Sequence, residues 1–105
     1  MKSMTSHAVY KVVDVVVFEP YTVKIRFDDG VERVINLEDV LYGPVYGPLR
    51  DPQFFAQVYI DPEIHTLVWP NGADFDPETL HNWSEYEASM KAMAQRWAAK
   101  HKQAA

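Results

Sequence analysis

The sequence predicts an α+β fold: an antiparallel meander of three strands, short helices, a second hairpin and a long C-terminal amphipathic helix. Three observations predict it. Apolar and polar residues alternate over Tyr21–Phe27, as in a strand with one buried face. Asp-Pro steps at Asp51 and Asp76 are typical of helix starts, because the carboxylate accepts from free N–H groups and proline fits the first helical position. From Tyr86 onward, large apolar residues recur every three or four positions, which is the period of a helix.

Length and composition fit one domain with a buried core. The chain has 105 residues, of which 48% are hydrophobic and 13% aromatic. It contains no cysteine, which excludes disulfides and thiolate chemistry and fits a reducing cytoplasm, the expected location. Its fifteen acids outnumber ten Lys and Arg, whereas surfaces that bind nucleic acid are basic. No apolar run is long enough to cross a bilayer. We therefore expect neither a nucleic-acid nor a membrane partner.

The first half of the chain predicts the meander. Tyr10–Phe18 is rich in valine, which favours a strand that is buried on both faces or central in the sheet. Tyr21–Phe27 follows after a break, and Val31–Leu37 returns after a turn at Asp28-Asp29-Gly30. We expect a flexible tail over residues 1–8, the α+β domain over 9–83 and the terminal helix over 84–105.

The middle of the chain predicts short elements. Asn36 can cap a helical turn over Leu37–Leu41. Tyr42–Asp51 holds two Gly-Pro steps, which disfavour a helix, and we expect an ordered loop packed over one end of the sheet. Asp51 starts a short helix whose aromatic pair enters the core. Val58–Asp61 and Thr66–Trp69 then form the second hairpin.

The stretch Leu67–His81 organises the rest of the chain and allows two interpretations. Asp76 caps the helix that follows, so its acidic neighbours are solvated residues of a turn. Alternatively, Asp74, Asp76 and His81 bind a cation or another ligand. This set lacks the ligand number and spacing of a calcium loop or a zinc site, so we predict no metal and no cofactor.

Arg50 extends the same candidate surface. We expect it to pair with a carboxylate of the 74–76 loop and to tie the Gly-Pro segment to Leu67–His81. The alternative is an arginine that binds an anion. The candidate ligand-binding residues are therefore Arg50, Asp74, Asp76 and His81.

The terminal helix is predicted over Glu85–His101, with Ser84 as N-cap of a capping box. Its large apolar residues are spaced four, three and four apart and form one stripe. The stripe packs on its own sheet, on a partner helix or on the same helix of a second subunit. Because the cap directly follows Trp83, the chain has little slack to fold back, which favours a symmetric homodimer. The candidate interface residues are Tyr86, Met90, Met93 and Trp97.

No catalytic constellation is visible. Two of the four serines lie in the tail, Ser84 serves as a cap, and none occupies a nucleophile elbow. The four histidines are scattered, and the four glycines form no phosphate-binding loop. We therefore predict no catalytic residues and no enzyme.

Four pieces of the sequence carry a resemblance to a known family. They are Phe27–Gly30, Gly47–Pro52 followed by Phe54 and Phe55, Ile64–Trp69, and Pro70–Leu80. In order and spacing they resemble a family of small bacterial proteins defined as a domain of unknown function, numbered 2442. The run Trp69-Pro70-Asn71-Gly72-Ala73-Asp74 is the most specific part.

The resemblance implies a compact α+β domain without an enzymatic activity. Some members carry a DNA-binding helix-turn-helix after this domain, and others are encoded beside a second small protein, as in toxin–antitoxin pairs. Here a single helix follows His81, so direct operator binding is not expected. The sequence favours a non-catalytic interaction module, and the resemblance implies that it is the partner or antitoxin-like half of a two-gene pair. The alternative is a small-molecule or ion-binding domain, or an unrecognised enzyme, at the Arg50/Asp74/Asp76/His81 surface.

Overall fold

A three-stranded antiparallel sheet in the order β1-β2-β3 confirms the predicted meander. The computed structural model describes residues 10–19 and 21–104, so the tail predicted over residues 1–8 lies outside the described part. Short 3-10 helices at Glu38–Val40 and Gly47–Arg50 join the main strands and helices of the fold. These are β1 (Val12–Glu19), β2 (Thr22–Phe27), β3 (Glu32–Asn36), α1 (Gly43–Tyr46), α2 (Pro52–Phe55), β4 (Tyr59–Ile60), β5 (Leu67–Val68), α3 (Pro77–His81) and α4 (Trp83–Ala104).

The central strand β2 places one face in the core, as its alternation predicts. Val23, Ile25 and Phe27 are fully buried, and Lys24 and Arg26 lie between them on the other face. The adjacent strands contribute to the same layer, since Val23 pairs with Val17 of β1 and Ile35 of β3. The sheet therefore covers the core with one face only.

β1 lies at an edge of the sheet, so the prediction of a strand that is buried on both faces or central in the sheet is wrong. Val13, Val16 and Phe18 are 44%, 42% and 58% exposed. Valine favours the extended backbone of a half-exposed strand as much as that of a buried one, because its branched side chain suits the pleated surface. A valine run therefore indicates a strand without giving its place in the sheet.

The second hairpin is present and short, with β4 and β5 paired antiparallel. Asp61 holds its turn, because one carboxylate oxygen accepts from the N–H groups of Glu63, at 2.7 Å, and Ile64, at 3.1 Å. His65 closes the turn in the left-handed region, with φ at +56°. Its carbonyl accepts from the Val12 N–H at 2.9 Å, which joins the hairpin to the start of β1.

The Gly-Pro segment is ordered, as predicted, but it is helical, so the prediction of a non-helical loop is wrong. Gly43 starts α1 with φ at +99°, and Pro44 follows near the first helical position. Gly47 has right-handed helical angles, φ −54° and ψ −42°, directly before Pro48. Glycine allows this because it lacks the Cβ that would clash with the proline ring. Each Gly-Pro step therefore starts a new helical turn.

The terminal helix α4 begins at Trp83, after Asn82 alone separates it from α3. The prediction of Ser84 as its N-cap is therefore wrong, since Ser84 lies inside the first turn. The helix folds back on its own chain and packs against the 3-10 helix Glu38–Val40 and against α1. Among the described elements, no helix combines the length and apolarity that crossing a bilayer requires.

Candidate functional site

The stretch Leu67–His81 turns back on itself immediately after β5. Gly72 takes the left-handed backbone, with φ at +88°, and its N–H donates to the Trp69 carbonyl at 2.9 Å. The Asn71 side-chain amide donates to the Val45 carbonyl at 3.0 Å. The turn is thereby fixed against α1.

Asp76 caps α3, which confirms the capping interpretation. One of its carboxylate oxygens accepts from the N–H groups of Glu78, at 3.1 Å, and Thr79, at 3.2 Å. Pro77 occupies the start of the helix, where no N–H is needed. The Asp51 carboxylate does the same for α2 by accepting from the Gln53 N–H at 3.0 Å. These two of the chain's three Asp-Pro steps therefore act as local helix-start signals.

Replacing Asp76 by alanine is expected to lower the free energy of unfolding by about 1 kcal/mol, the usual cost of a lost N-cap. Asp74→Ala is the matched control, because it removes a nearby exposed carboxylate that makes no cap. Urea denaturation of both variants measures the difference. Equal midpoints would contradict capping. A midpoint raised by added divalent metal in the wild type but not in Asp76→Ala would instead support the cation interpretation.

Arg50 does not pair with the 74–76 loop, so that prediction is wrong. Its guanidinium lies 3.8 Å from the Glu38 carboxylate and donates to the Glu38 carbonyl at 3.0 Å. It also lies over the Tyr42 ring, 4.8 Å from the centroid. Tyr21 donates its hydroxyl hydrogen to the Arg50 carbonyl. Arg50 therefore holds the Gly-Pro segment to the 3-10 helix Glu38–Val40, at a distance from the organising stretch.

Tyr46 makes the connection that we expected of Arg50. Its hydroxyl donates to the Asp74 carbonyl at 2.7 Å, and its ring stacks on Phe75 with 4.9 Å between centroids. Burial, with the Asp74 carboxylate as a second cause, raises the pKa of the Tyr46 hydroxyl. An aromatic side chain, rather than an ion pair, therefore joins α1 to the acidic loop.

His81 is buried, with 8% of its surface exposed. Its ring joins α3 to the β2–β3 turn, to β2 and to the segment before β1. Its Nε2 lies 2.8 Å from Oδ2 of Asp29, in the β2–β3 turn. Its ring stacks on Tyr10, with 3.8 Å between centroids, and meets the Phe27 ring edge-on at 4.8 Å. The other ring nitrogen lies 3.1 Å from the side-chain oxygen of Asn82. These contacts make His81 a structural residue of the described fold.

The contact between Asp29 and His81 makes the stability of the fold depend on pH in the acid range. The Val31 N–H and then the His81 ring donate hydrogen bonds to its carboxylate, which lowers the pKa of Asp29 from its ordinary value of 3.8. A lowered folded-state pKa stabilises the fold above the unfolded pKa, and this contribution is lost as the pH falls through the folded pKa. We therefore expect unfolding midpoints between about pH 5 and pH 2 to fall more steeply in the wild type than in Asp29→Asn. Glu63→Gln, an exposed acid on the other hairpin, controls for charge removal, and parallel profiles for all three proteins would contradict the expectation.

A groove of about 400 Å³ beside the organising stretch includes only two of the four predicted ligand-binding residues. Arg50 is held by Glu38, and His81 by Asp29. Among the described residues, no three His, Cys, Asp or Glu side chains are grouped as a metal site requires. The four candidate residues therefore do not line one common pocket. The groove is lined by Ile64, Thr66, Asp74, Phe75, Asp76 and Pro77.

The predicted stripe on α4 is partly covered by the rest of the chain. Met90 packs against the core, and the Tyr86 hydroxyl donates to the Glu78 carboxylate at 3.0 Å. Met93 remains 58% exposed and Trp97 37% exposed. The distal half of the stripe therefore presents apolar surface to solvent.

A second groove, of about 140 Å³, lies between this stripe and the Gly-Pro segment. A Cβ added to Gly43 would lie 3.7 Å from the Trp97 ring, an ordinary van der Waals distance, so this ring lies beside the start of α1. Lys91 pairs with Glu87 of the same helix, at 2.7 Å, and with Asp39 of the 3-10 helix Glu38–Val40, at 3.6 Å. Hydrogen bonding to Glu87 is the main cause that raises the pKa of Lys91. The groove is lined by Val40, Tyr42, Tyr46, Met90, Met93, Ala94 and Trp97.

Comparison with known proteins identifies the family. The model of the family described as "Protein of unknown function (DUF2442)" matches residues 12–86. The chain therefore belongs to this family, which confirms the resemblance seen in the sequence. No curated protein and no solved structure shows significant similarity to it. The matched residues end in the first turns of α4, before Met90, Met93 and Trp97.

Proposed function

We propose that this member of the DUF2442 family is a non-catalytic, cytoplasmic interaction module, the antitoxin-like or partner half of a two-gene pair. The observation that carries the proposal is the apolar stripe of α4, half of which faces solvent. Met93 is 58% exposed beside the groove over the Gly-Pro segment. Contiguous exposed apolar surface of this kind marks protein–protein contact sites.

The size of the groove beside α4 supports a protein partner over a small molecule at this surface. Ligand pockets usually enclose about 300–1,000 Å³. The groove on α4 has about 140 Å³, which suits one large apolar side chain from another chain. Methionine is unbranched and polarizable, so Met90 and Met93 can adapt to such a side chain.

The polar residues also support a non-catalytic role. Asp76 is used as a helix cap, and Arg50 and His81 are each paired with a carboxylate from another element. A general acid or base needs a free hydrogen-bonding position toward a substrate. The residues that line the larger groove beside Asp74 do not bring together an acid, a base and a nucleophile.

The test is binding to the product of the adjacent gene. We expect titration calorimetry to detect a complex, and Met93→Asp to weaken it by at least about tenfold, because a charge in an apolar contact is left without a partner. Ile64→Asp is the matched control, since Ile64 is 50% exposed on the second hairpin, away from α4. Absence of binding by the wild type would reject the two-gene pair. Equal loss in both variants would reject α4 as its surface.

A further inference from the structure

We infer that the α4 stripe is the contact surface of a symmetric dimer, in which α4 of a second copy of this chain lies antiparallel to it. The inference rests on the proposed function, which makes α4 a contact surface, and it names a second copy of this chain as the occupant in competition with the product of an adjacent gene. Three features of α4 carry it: the spacing of the stripe, the charges beside it and the exposure of the side of the helix that bears Met93.

The spacing of the residues in the stripe is the same in both directions along the helix. Tyr86, Met90, Met93 and Trp97 follow spacings of four, three and four, so they are symmetric about the midpoint between Lys91 and Ala92. A two-fold axis that lies between the two copies at the level of that midpoint, perpendicular to both helices, places Tyr86 opposite Trp97 of the second copy. It also places Met90 opposite Met93. Both copies then offer the same patch to each other, as a closed two-fold interface requires.

The charges beside the stripe are complementary under the same axis. Glu85 and Arg96 are exposed, and neither forms an ion pair within the described part of the chain. They lie eleven residues apart, about 20° more than three turns, so they share one flank of the helix. A perpendicular two-fold axis places equal flanks of the two helices together. Glu85 of each copy then lies about 3 Å along the axis from Arg96 of the other.

The body of the chain leaves this flank free. Trp83 and Ala94, which are 7% and 8% exposed, mark the side of α4 that packs on the chain itself. Met93 lies about 100° around the helix from Ala94 and is 58% exposed. The flank with Glu85 and Arg96 lies farther round in the same direction. A second helix can therefore approach Met93 without displacing Val40 or Tyr42 from the groove wall.

Sedimentation velocity tests the dimer on the intact chain. At about 50 µM we expect a species of twice the 12.1 kDa chain mass. Met93→Asp should raise the dissociation constant by about 100-fold or more, because each copy brings one charge into the apolar contact. Ile64→Asp, on the second hairpin, should leave it unchanged. A wild type that stays monomeric, or a dimer that Met93→Asp does not weaken, overturns the inference.

Charge reversal tests the antiparallel arrangement. Glu85→Lys and Arg96→Glu should each weaken the dimer by about three- to tenfold, since each creates two like-charged pairs. The double variant should restore the wild-type dissociation constant. Two single effects that simply add in the double variant overturn this geometry. A wild-type monomer that binds the adjacent gene's product overturns the dimer alone, whereas a dimer that binds no such product supports the dimer and rejects the two-gene pair.

Discussion

Replacing Trp69 by alanine is expected to lower the free energy of unfolding by about 3–5 kcal/mol, the range for deleting a large buried aromatic side chain. Trp69 has no exposed surface and lies between Phe55 and Phe75, with ring centroids 5.5 and 5.9 Å away. Its indole N–H donates to the Phe55 carbonyl at 2.8 Å. The truncation therefore leaves a cavity and removes one of the two hydrogen bonds that the Phe55 carbonyl accepts, the other coming from the Val58 N–H at 3.3 Å.

Trp69→Phe separates these two costs and remains measurable if the alanine variant does not fold. Phenylalanine retains most of the ring packing but cannot donate to the Phe55 carbonyl. We expect the lost hydrogen bond to cost about 0.5–1.5 kcal/mol, because the Phe55 carbonyl still accepts from the Val58 N–H. Urea denaturation followed by circular dichroism gives both values. A phenylalanine variant as stable as the wild type would contradict a stabilising role for the indole hydrogen bond.

The parts of the fold that could be predicted depend on local chemistry. The faces of β2 follow from the alternation of Val23, Ile25 and Phe27. The caps at Asp51 and Asp76 follow from a carboxylate placed directly before proline, since both partners of each hydrogen bond lie within three residues. Asn36 likewise accepts from the Glu38 N–H at 2.8 Å, as its position predicted.

The wrong predictions for β1 and Arg50 depend on residues distant in sequence, and the one for the Gly-Pro segment depends on a local exception. The valine run of β1 gives no information on which strands become its neighbours. The charge of Arg50 predicts an acidic partner, but Glu38 is one of fifteen acids in the chain. The helical Gly-Pro segment depends on Gly47, whose freedom the general rule for residues before proline does not include.

The candidate site shows the same limit. His81 was grouped with Asp74 and Asp76 because they are close in sequence, but its partner Asp29 is 52 residues away. No pattern around Asp28-Asp29-Gly30, which reads as a plain hairpin turn, indicates a contact with α3. For Met93, by contrast, the helical period alone placed it on the stripe, and the structure adds how much of it is exposed.

Replacing His81 by alanine is expected to lower the free energy of unfolding by about 2–3 kcal/mol at neutral pH. The ring fills the space between Tyr10 and Phe27, and its Nε2 contacts the Asp29 carboxylate at 2.8 Å. The same residue accepts from the Arg33 guanidinium through its backbone carbonyl, at 2.8 Å, and this bond survives the substitution. The loss therefore reports on the ring, which joins the β2–β3 turn and the start of the described chain to α3.

His81→Leu and a double-mutant cycle divide this effect into packing and polar contact. Leucine retains apolar volume between the two aromatic rings, so it should recover part of the loss and leave the cost of the broken hydrogen bonds. Combining His81→Leu with Asp29→Asn measures the coupling between the two side chains, since residues in direct contact give non-additive changes. If His81 served a ligand rather than the fold, the alanine variant would unfold at the wild-type urea concentration, and the two changes in the cycle would add. A reduced midpoint with clear non-additivity instead assigns His81 to holding the hairpin turn against α3, because only the folded chain brings Asp29 within reach of its ring.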